Sequence, residues 1–93
     1  MITAFVMMNA ERDRLASIPD ELLKINGITE VYSVAGDFDL VAIVRVKEAD
    51  DLAMVVTEHF VKVRGITRTT TLIAFRCYSK YDLDNMFQIG FKS

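Results

Sequence analysis

The chain repeats itself at a fixed offset, and this limits its possible folds more than any other feature. Ile2–Met8 (ITAFVMM) aligns with Leu40–Val46 (LVAIVRV), with Ala4 on Ala42 and Val6 on Val44. Lys24–Thr29 (KINGIT) aligns with Lys62–Thr67 (KVRGIT), with Gly27 on Gly65. Both pairs are 38 positions apart, as from 4 to 42 and from 27 to 65. Two separated segments sharing one offset indicate two copies of a single unit, about residues 2–34 and 40–72.

Each unit reads strand, helix, strand. The first strands, Ile2–Met8 and Leu40–Val46, are short runs rich in β-branched residues. In the second helix Leu52, Val55, Val56, His59, Phe60 and Val63 follow helical spacing and form one broad apolar stripe. Asp50 and Asp51 suit the positive end of its dipole. The first helix has Leu15, Ile18, Leu22 and Ile25 as its buried face. Ser17-Ile18-Pro19-Asp20 reads as its start, with a hydroxyl cap and proline in the first turn. A start near Asp13, with Pro19 as a kink, is the alternative. Gly27 and Gly65 fall where helices end in a left-handed residue. The second strands are expected over about Thr29–Ala35 and Ile66–Phe75. Ala35-Gly36-Asp37-Phe38 then closes an antiparallel hairpin between the copies.

A duplicated β-α-β unit with a hairpin between its copies is the ferredoxin-like, α+β arrangement βαββαβ. Right-handed crossovers place both helices on one face of a four-stranded antiparallel sheet. The strands should then alternate apolar and polar residues. They do not. Phe5 and Met7 oppose Ala4, Val6 and Met8, while Val41 and Ile43 oppose Leu40, Ala42 and Val44. Both faces are apolar, so a second copy is expected to pack sheet to sheet, giving a dimeric α/β-barrel type of assembly.

Composition supports that conclusion. Ninety-three residues at 10.5 kDa form one domain, residues 1–76, with a tail over 77–93. Leu83, Met86, Phe87 and Phe91 give this tail rough helical spacing over Ser79–Phe91, packed on its own domain or on a neighbour. Apolar residues make up 52% of the chain, more than so small a monomer needs inside. The net charge is −2 and the pI near 5.3, with no basic arm, which argues against direct binding to nucleic acid. Cys77 is the one cysteine and cannot form an internal disulfide, which suits a reducing cytoplasm. The N-terminus reads as neither a signal peptide nor a membrane span.

Few residues carry chemistry. His59, the one histidine, is in phase with the apolar stripe and reads as a core or boundary residue. Cys77 has no CxxC partner, and no metal-ligand spacing or phosphate loop is present, so no metal, cofactor or catalytic residue is expected. Asp50-Asp51 and Asp82-Leu83-Asp84 read as helix-start carboxylates. Two segments suggest more. Gly36-Asp37-Phe38-Asp39 is either a plain solvated hairpin or a cup, whose amides hold a carboxylate while Asp39 holds an ammonium. Thr67-Arg68-Thr69-Thr70-Thr71 is either an ordinary strand or a row of hydroxyls on one face for a small zwitterion.

These segments carry a resemblance. Val31–Leu40 (VYSVAGDFDL) and Gly65–Leu72 (GITRTTTL) follow the pattern of the effector-binding RAM domain of Lrp/AsnC transcription regulators. That pattern is a hydrophobic strand with Gly-x-aromatic-Asp, then Gly-Val/Ile and Thr-x-Thr. The resemblance covers about residues 2–75. It implies a dimer through the sheets, dimers joined into an octameric or decameric ring, and an amino acid or similar metabolite bound between dimers. Carried over, Gly36, Asp37, Phe38, Asp39, Thr69 and Thr71 would line the pocket. Family regulators also carry a helix-turn-helix that this sequence lacks, so it resembles the stand-alone members without direct DNA binding.

The resulting expectation is a cytoplasmic, non-enzymatic amino acid sensor that assembles with itself and with full-length Lrp/AsnC regulators to modulate transcription. Two rivals remain. One is a small dimeric α+β-barrel enzyme of monooxygenase or isomerase type, for which His59 alone is on offer. The other is a purely architectural oligomerisation module.

Overall fold

The duplication is written in the backbone. The computed structural model describes residues 1–80, so most of the expected tail helix, from residue 81, lies outside the described residues. The elements are β1 (Ile2–Ala10), α1 (Ile18–Leu23), β2 (Ile28–Ser33), β3 (Leu40–Val46), α2 (Ala49–Met54) and β4 (Ile66–Ile73). The strands form one sheet in the order β2-β3-β1-β4, every neighbour antiparallel. This is the ferredoxin-like arrangement expected from the repeat. Gly27 and Gly65, equivalent positions of the two copies, have φ of +99° and +98° as the chain turns into β2 and β4.

The helices cover one face. Ala4, Val6 and Met8 of β1 and Leu40, Ala42, Val44 and Val46 of β3 are buried there against Ile18, Leu22, Leu52, Val55 and Phe60. Each fully buried Leu, Ile, Val or Met contributes about 1.5–3 kcal/mol. This one face therefore accounts for most of the favourable burial.

α1 starts at Ile18 with Pro19 in its first turn, and Asp20 and Glu21 follow at the positive end of the dipole. The expected Ser17 cap does not form. A cap needs an extended backbone, and Ser17 is already helical, with φ −92° and ψ −21°. Its hydroxyl donates instead to the Arg14 carbonyl at 2.9 Å. In α2 the Glu48 N–H donates to the Asp51 carboxylate at 3.3 Å, the end-of-helix role expected of that acid. The helix then widens into a π-helical turn, Val55–His59, and tightens into a 3₁₀ turn, Phe60–Lys62. The run Val55-Val56-Thr57 is β-branched and holds α-helix poorly. The Thr57 hydroxyl donates to the Ala53 carbonyl at 2.6 Å, competing with the backbone there.

The other sheet face carries Phe5, Met7, Val41, Ile43, Tyr32 and Leu72, which the strand registers bring together. Ile43 lies between Phe5 and Glu30 and is only 6% exposed, whereas Phe5, Tyr32 and Leu72 remain 37%, 49% and 52% exposed. The apolar residues that break the alternation do form a second greasy face. Strand ends differ slightly from expectation. β1 runs on to Ala10 because β4 keeps pairing with it, and β2 stops at Ser33 because the Val34 N–H closes onto the Asp39 carbonyl at 3.0 Å.

The glycines supply a stability test. A Cβ on Gly65 would lie 2.5 Å from Arg14 Cβ, and one on Gly27 2.8 Å from Val46 Cγ1. Gly36 also has a positive φ, +130°, but nothing stands within 4 Å of its missing Cβ. Gly65→Ala should therefore cost strain and a clash, about 2–4 kcal/mol, and Gly36→Ala strain alone, about 1 kcal/mol. Urea denaturation should rank Gly65→Ala well below Gly36→Ala; equal midpoints would contradict this packing.

Candidate functional site

The end of β1 decides what the Gly36–Asp39 turn meets. On one side Met8 pairs with Leu40 of β3, and on the other with Thr69 of β4. Asn9 then pairs with Arg68 and Ala10 with Ile66, so Thr67 is the extra residue of a β-bulge. The β2–β3 turn thus lies across the tip of β1 from the start of β4.

Four contacts hold the turn there. The Asp39 N–H donates to the Met8 carbonyl at 2.9 Å. Two residues on, where β3 has already left the ladder, the Ala10 N–H donates to Asp39 Oδ2 at 3.0 Å. Two polar backbone groups of β1 are thereby satisfied, the Met8 carbonyl by the backbone of the turn and the Ala10 N–H by its carboxylate. Asn9 Nδ2 donates to the Asp37 carbonyl at 3.1 Å. The Arg68 guanidinium lies over the Phe38 ring, 5.6 Å from its centroid, a cation–π contact worth about 0.5–1 kcal/mol at such an exposed position. Asn9 Oδ1 is enclosed and has no hydrogen-bond partner among the described residues.

Gly36 and Asp37 are exposed, while Phe38 and Asp39 are half-buried. Residues paired across antiparallel strands share a face. Thr69 opposite Met8 and Thr71 opposite Val6 therefore lie on the helix side of the sheet, and Arg68 opposite Asn9 lies on the other. Within one protomer the structure joins the turn to Arg68 and places the Thr69 and Thr71 hydroxyls across the same strand. Thr69 and Arg68 also line a cavity of about 200 Å³ with Val56 and Phe60, between the end of α2 and β4. Asn9, Ala10 and Arg68 are the site residues that sequence reasoning missed. Arg68 had a signal, since it sits between the site threonines; Asn9 and Ala10 had none, because their role comes from register.

A second polar group lies on the apolar sheet face near the β2 edge. Tyr32 donates to Glu30 Oε2 at 2.5 Å, and Arg45 Nη1 donates to Glu30 Oε1 at 3.1 Å and to Thr29 Oγ1 at 2.8 Å. The Tyr32 hydrogen bond, and then that of Arg45, holds Glu30 below the usual carboxylate range. Glu30 in turn pushes the Tyr32 phenol up.

The remaining candidates stand apart from the turn. His59 is half-buried at the end of the π turn and lines a groove of about 600 Å³ with Lys47, Asp51 and Met54. Cys77 is exposed. Among the described residues no group of three His, Cys, Asp or Glu is placed to hold a metal ion. Among them, too, no helix is long and apolar enough to cross a membrane. What the turn offers is a carboxylate, a guanidinium, backbone amides and an aromatic ring, groups that can hold a small charged molecule.

Known proteins of the same fold are found by sequence and by structure. Residues 3–83 match the Lrp/AsnC ligand binding domain. An uncharacterized HTH-type transcriptional regulator of Pyrococcus furiosus is 30% identical over 76 residues, 78% of this chain and 51% of the regulator. The chain thus spans about half the length of such relatives. A crystal structure from Thermus thermophilus superposes with a TM-score of 0.79 and 41% identity, covering 86% of this chain and all of that one. The feast or famine regulatory protein of Mycobacterium tuberculosis, solved as a complex with L-methionine, superposes with a TM-score of 0.69 at 27% identity, covering 86% of this chain and 54% of that one. On its repeat, its turn and strand motifs and these matches, the chain belongs to the Lrp/AsnC ligand-binding domain family.

Proposed function

We propose that this domain senses a free amino acid or a similar small zwitterion, bound where copies of the chain meet, and that occupancy alters the assembly through which transcription is regulated. The carrying observation is the Gly36–Asp39 turn. It is fastened to the tip of β1 by backbone, carboxylate and amide contacts, and it presents charge at the end of an apolar sheet face. The L-methionine complex of the tuberculosis relative supports the ligand class. The Thr69 and Thr71 hydroxyls, on the opposite face of β4, would serve the pocket from a neighbouring copy. Partners would be further copies, up to an octameric or decameric ring, and HTH-bearing relatives, in the cytoplasm. The domain would act by binding, not by catalysis.

Calorimetry against the twenty amino acids tests the ligand class. At least one should bind, and Asp39→Asn, which keeps an acceptor for the Ala10 N–H but removes the charge, should weaken it roughly 10–100-fold. No heat from any of them would remove amino acids as ligands.

The sheet-to-sheet dimer has its own test. Leu72 is half-exposed in one protomer, so Leu72→Asp leaves the fold intact and puts a charge into the proposed interface. Ultracentrifugation should find the unmodified chain as a dimer or larger and the variant as a single chain. A well-folded lone chain of the unmodified protein at micromolar concentration would overturn the proposal.

A further inference from the structure

We infer that Arg68 is the residue that takes the ligand's carboxylate, and that it restricts the site to molecules with a free carboxylate group. This rests on the reading of the Gly36–Asp39 turn as a binding site and goes beyond it by naming the group recognised.

Three observations lead there. The first is phase. β4 alternates, so a strand that offers Thr69 and Thr71 to the helix side must offer Arg68 to the other side, opposite Asn9, whose amide already holds the turn. The bulge at Thr67 comes immediately before Arg68, and bulges re-aim the side chains beside them.

The second is the state of the guanidinium. The ion pairs among the described residues are Arg14–Glu21 and Arg45–Glu30, and neither involves Arg68. Arg68 is instead seated over the Phe38 ring. A guanidinium lying over a ring satisfies its apolar face and keeps its in-plane N–H donors free to form a fork with a carboxylate. Phe38 thereby pre-orders a flexible side chain, which lowers the entropy lost on binding.

The third is charge placement. Asp39 is the neighbouring carboxylate in the turn, yet one of its oxygens is committed to the Ala10 N–H, which ties it to the end of β1 and leaves Arg68 to a ligand. The turn thus presents a cation on the β4 side and a fixed carboxylate on the β3 side. This is the complement of a zwitterion, with the ligand's carboxylate toward Arg68 and its ammonium toward Asp39.

The test is calorimetry on the full chain with the twenty L-amino acids, followed by the carboxamide of the tightest binder. The unmodified protein should prefer the free acid over its amide by at least tenfold. Arg68→Met should lose tenfold or more for the acid and bind acid and amide alike, with a melting temperature lowered by no more than a few degrees, because Arg68 is exposed and gives up only its contact with Phe38. Arg68→Lys, a point charge without the fork, should fall between. Phe38→Leu should weaken the acid but keep the preference. Acid binding undiminished in Arg68→Met, or a preserved preference for acid over amide, would overturn the assignment and leave the sensing proposal standing. Binding of none of the twenty by the unmodified protein would overturn both.

Discussion

Strand β1 is hydrogen-bonded on both sides, and its register with β3 and β4 sets the position of nearly everything else. Ala4, Val6 and Met8 find Val44, Ala42 and Leu40 on one side and Ile73, Thr71 and Thr69 on the other. A slip of one residue would exchange the two faces of the sheet. In most half-covered sheets such a slip is forbidden because it would bury polar residues. Here both faces of β1 and β3 are apolar, so hydrophobicity alone resists a slip weakly. The register is held instead by features that cannot be exchanged: the small Ala4 and Ala42 beneath the helices, the bulge at Thr67, and the ties between the tip of β1 and the turn.

Those ties explain why the proposed binding site falls at this end of the molecule. A strand end leaves backbone donors without ladder partners, and each buried one costs about 1–3 kcal/mol if nothing replaces the partner. Asp39 replaces it for Ala10, and Asn9 reaches the Asp37 carbonyl. The polar groups that complete the sheet therefore also give the turn a fixed shape, and a fixed shape is what a small ligand needs. Asp39 is structural toward β1 and available toward solvent, which is why a change of charge there separates the two roles better than truncation.

The architecture was legible in the residues because it depends on local patterns. A 38-residue offset, two glycines, alternating and continuous apolar runs and a proline at a helix start are all written along the chain. Their counterparts appear as a ferredoxin-like sheet, two positive-φ glycines within one degree of each other, and a helix beginning at Ile18. What was not legible depends on pairings distant in sequence or on competition between local options. Ser17 fails as a cap because Arg14 has already drawn it into a turn. The π turn at Val55–His59 preserves the apolar stripe while changing the pitch, so periodicity could not disclose it. Arg68 stands in the sequence only as part of the threonine run, and its pairing with Asn9 is what puts it over Phe38. The Glu30, Tyr32 and Arg45 group likewise needs the β2–β3 register, which is shifted by its own irregularity between Ile28 and Glu30.

Site and uncovered face bear on each other through energy as well as position. Asn9 and Arg68 are on the same side of the sheet as Phe5, Met7 and Leu72. On the proposed reading a ligand at the turn touches a second copy, and a ligand that binds only the assembled state stabilises it by RT ln(1 + [L]/Kd), about 2.7 kcal/mol at a hundredfold excess over Kd. That equals the burial of one or two large apolar side chains. If the sheet faces made a contact many times stronger, no metabolite could shift it; if they made none, the ligand would have nothing to bind across. A face with Phe5, Tyr32 and Leu72 each about a third to a little over a half exposed, edged by the charged Glu30 and Arg45, lies between those limits. On that reading the apolar content of the sheet would supply the basic assembly, and the weaker, more polar contacts at its ends would be where a small molecule has enough energy to change it.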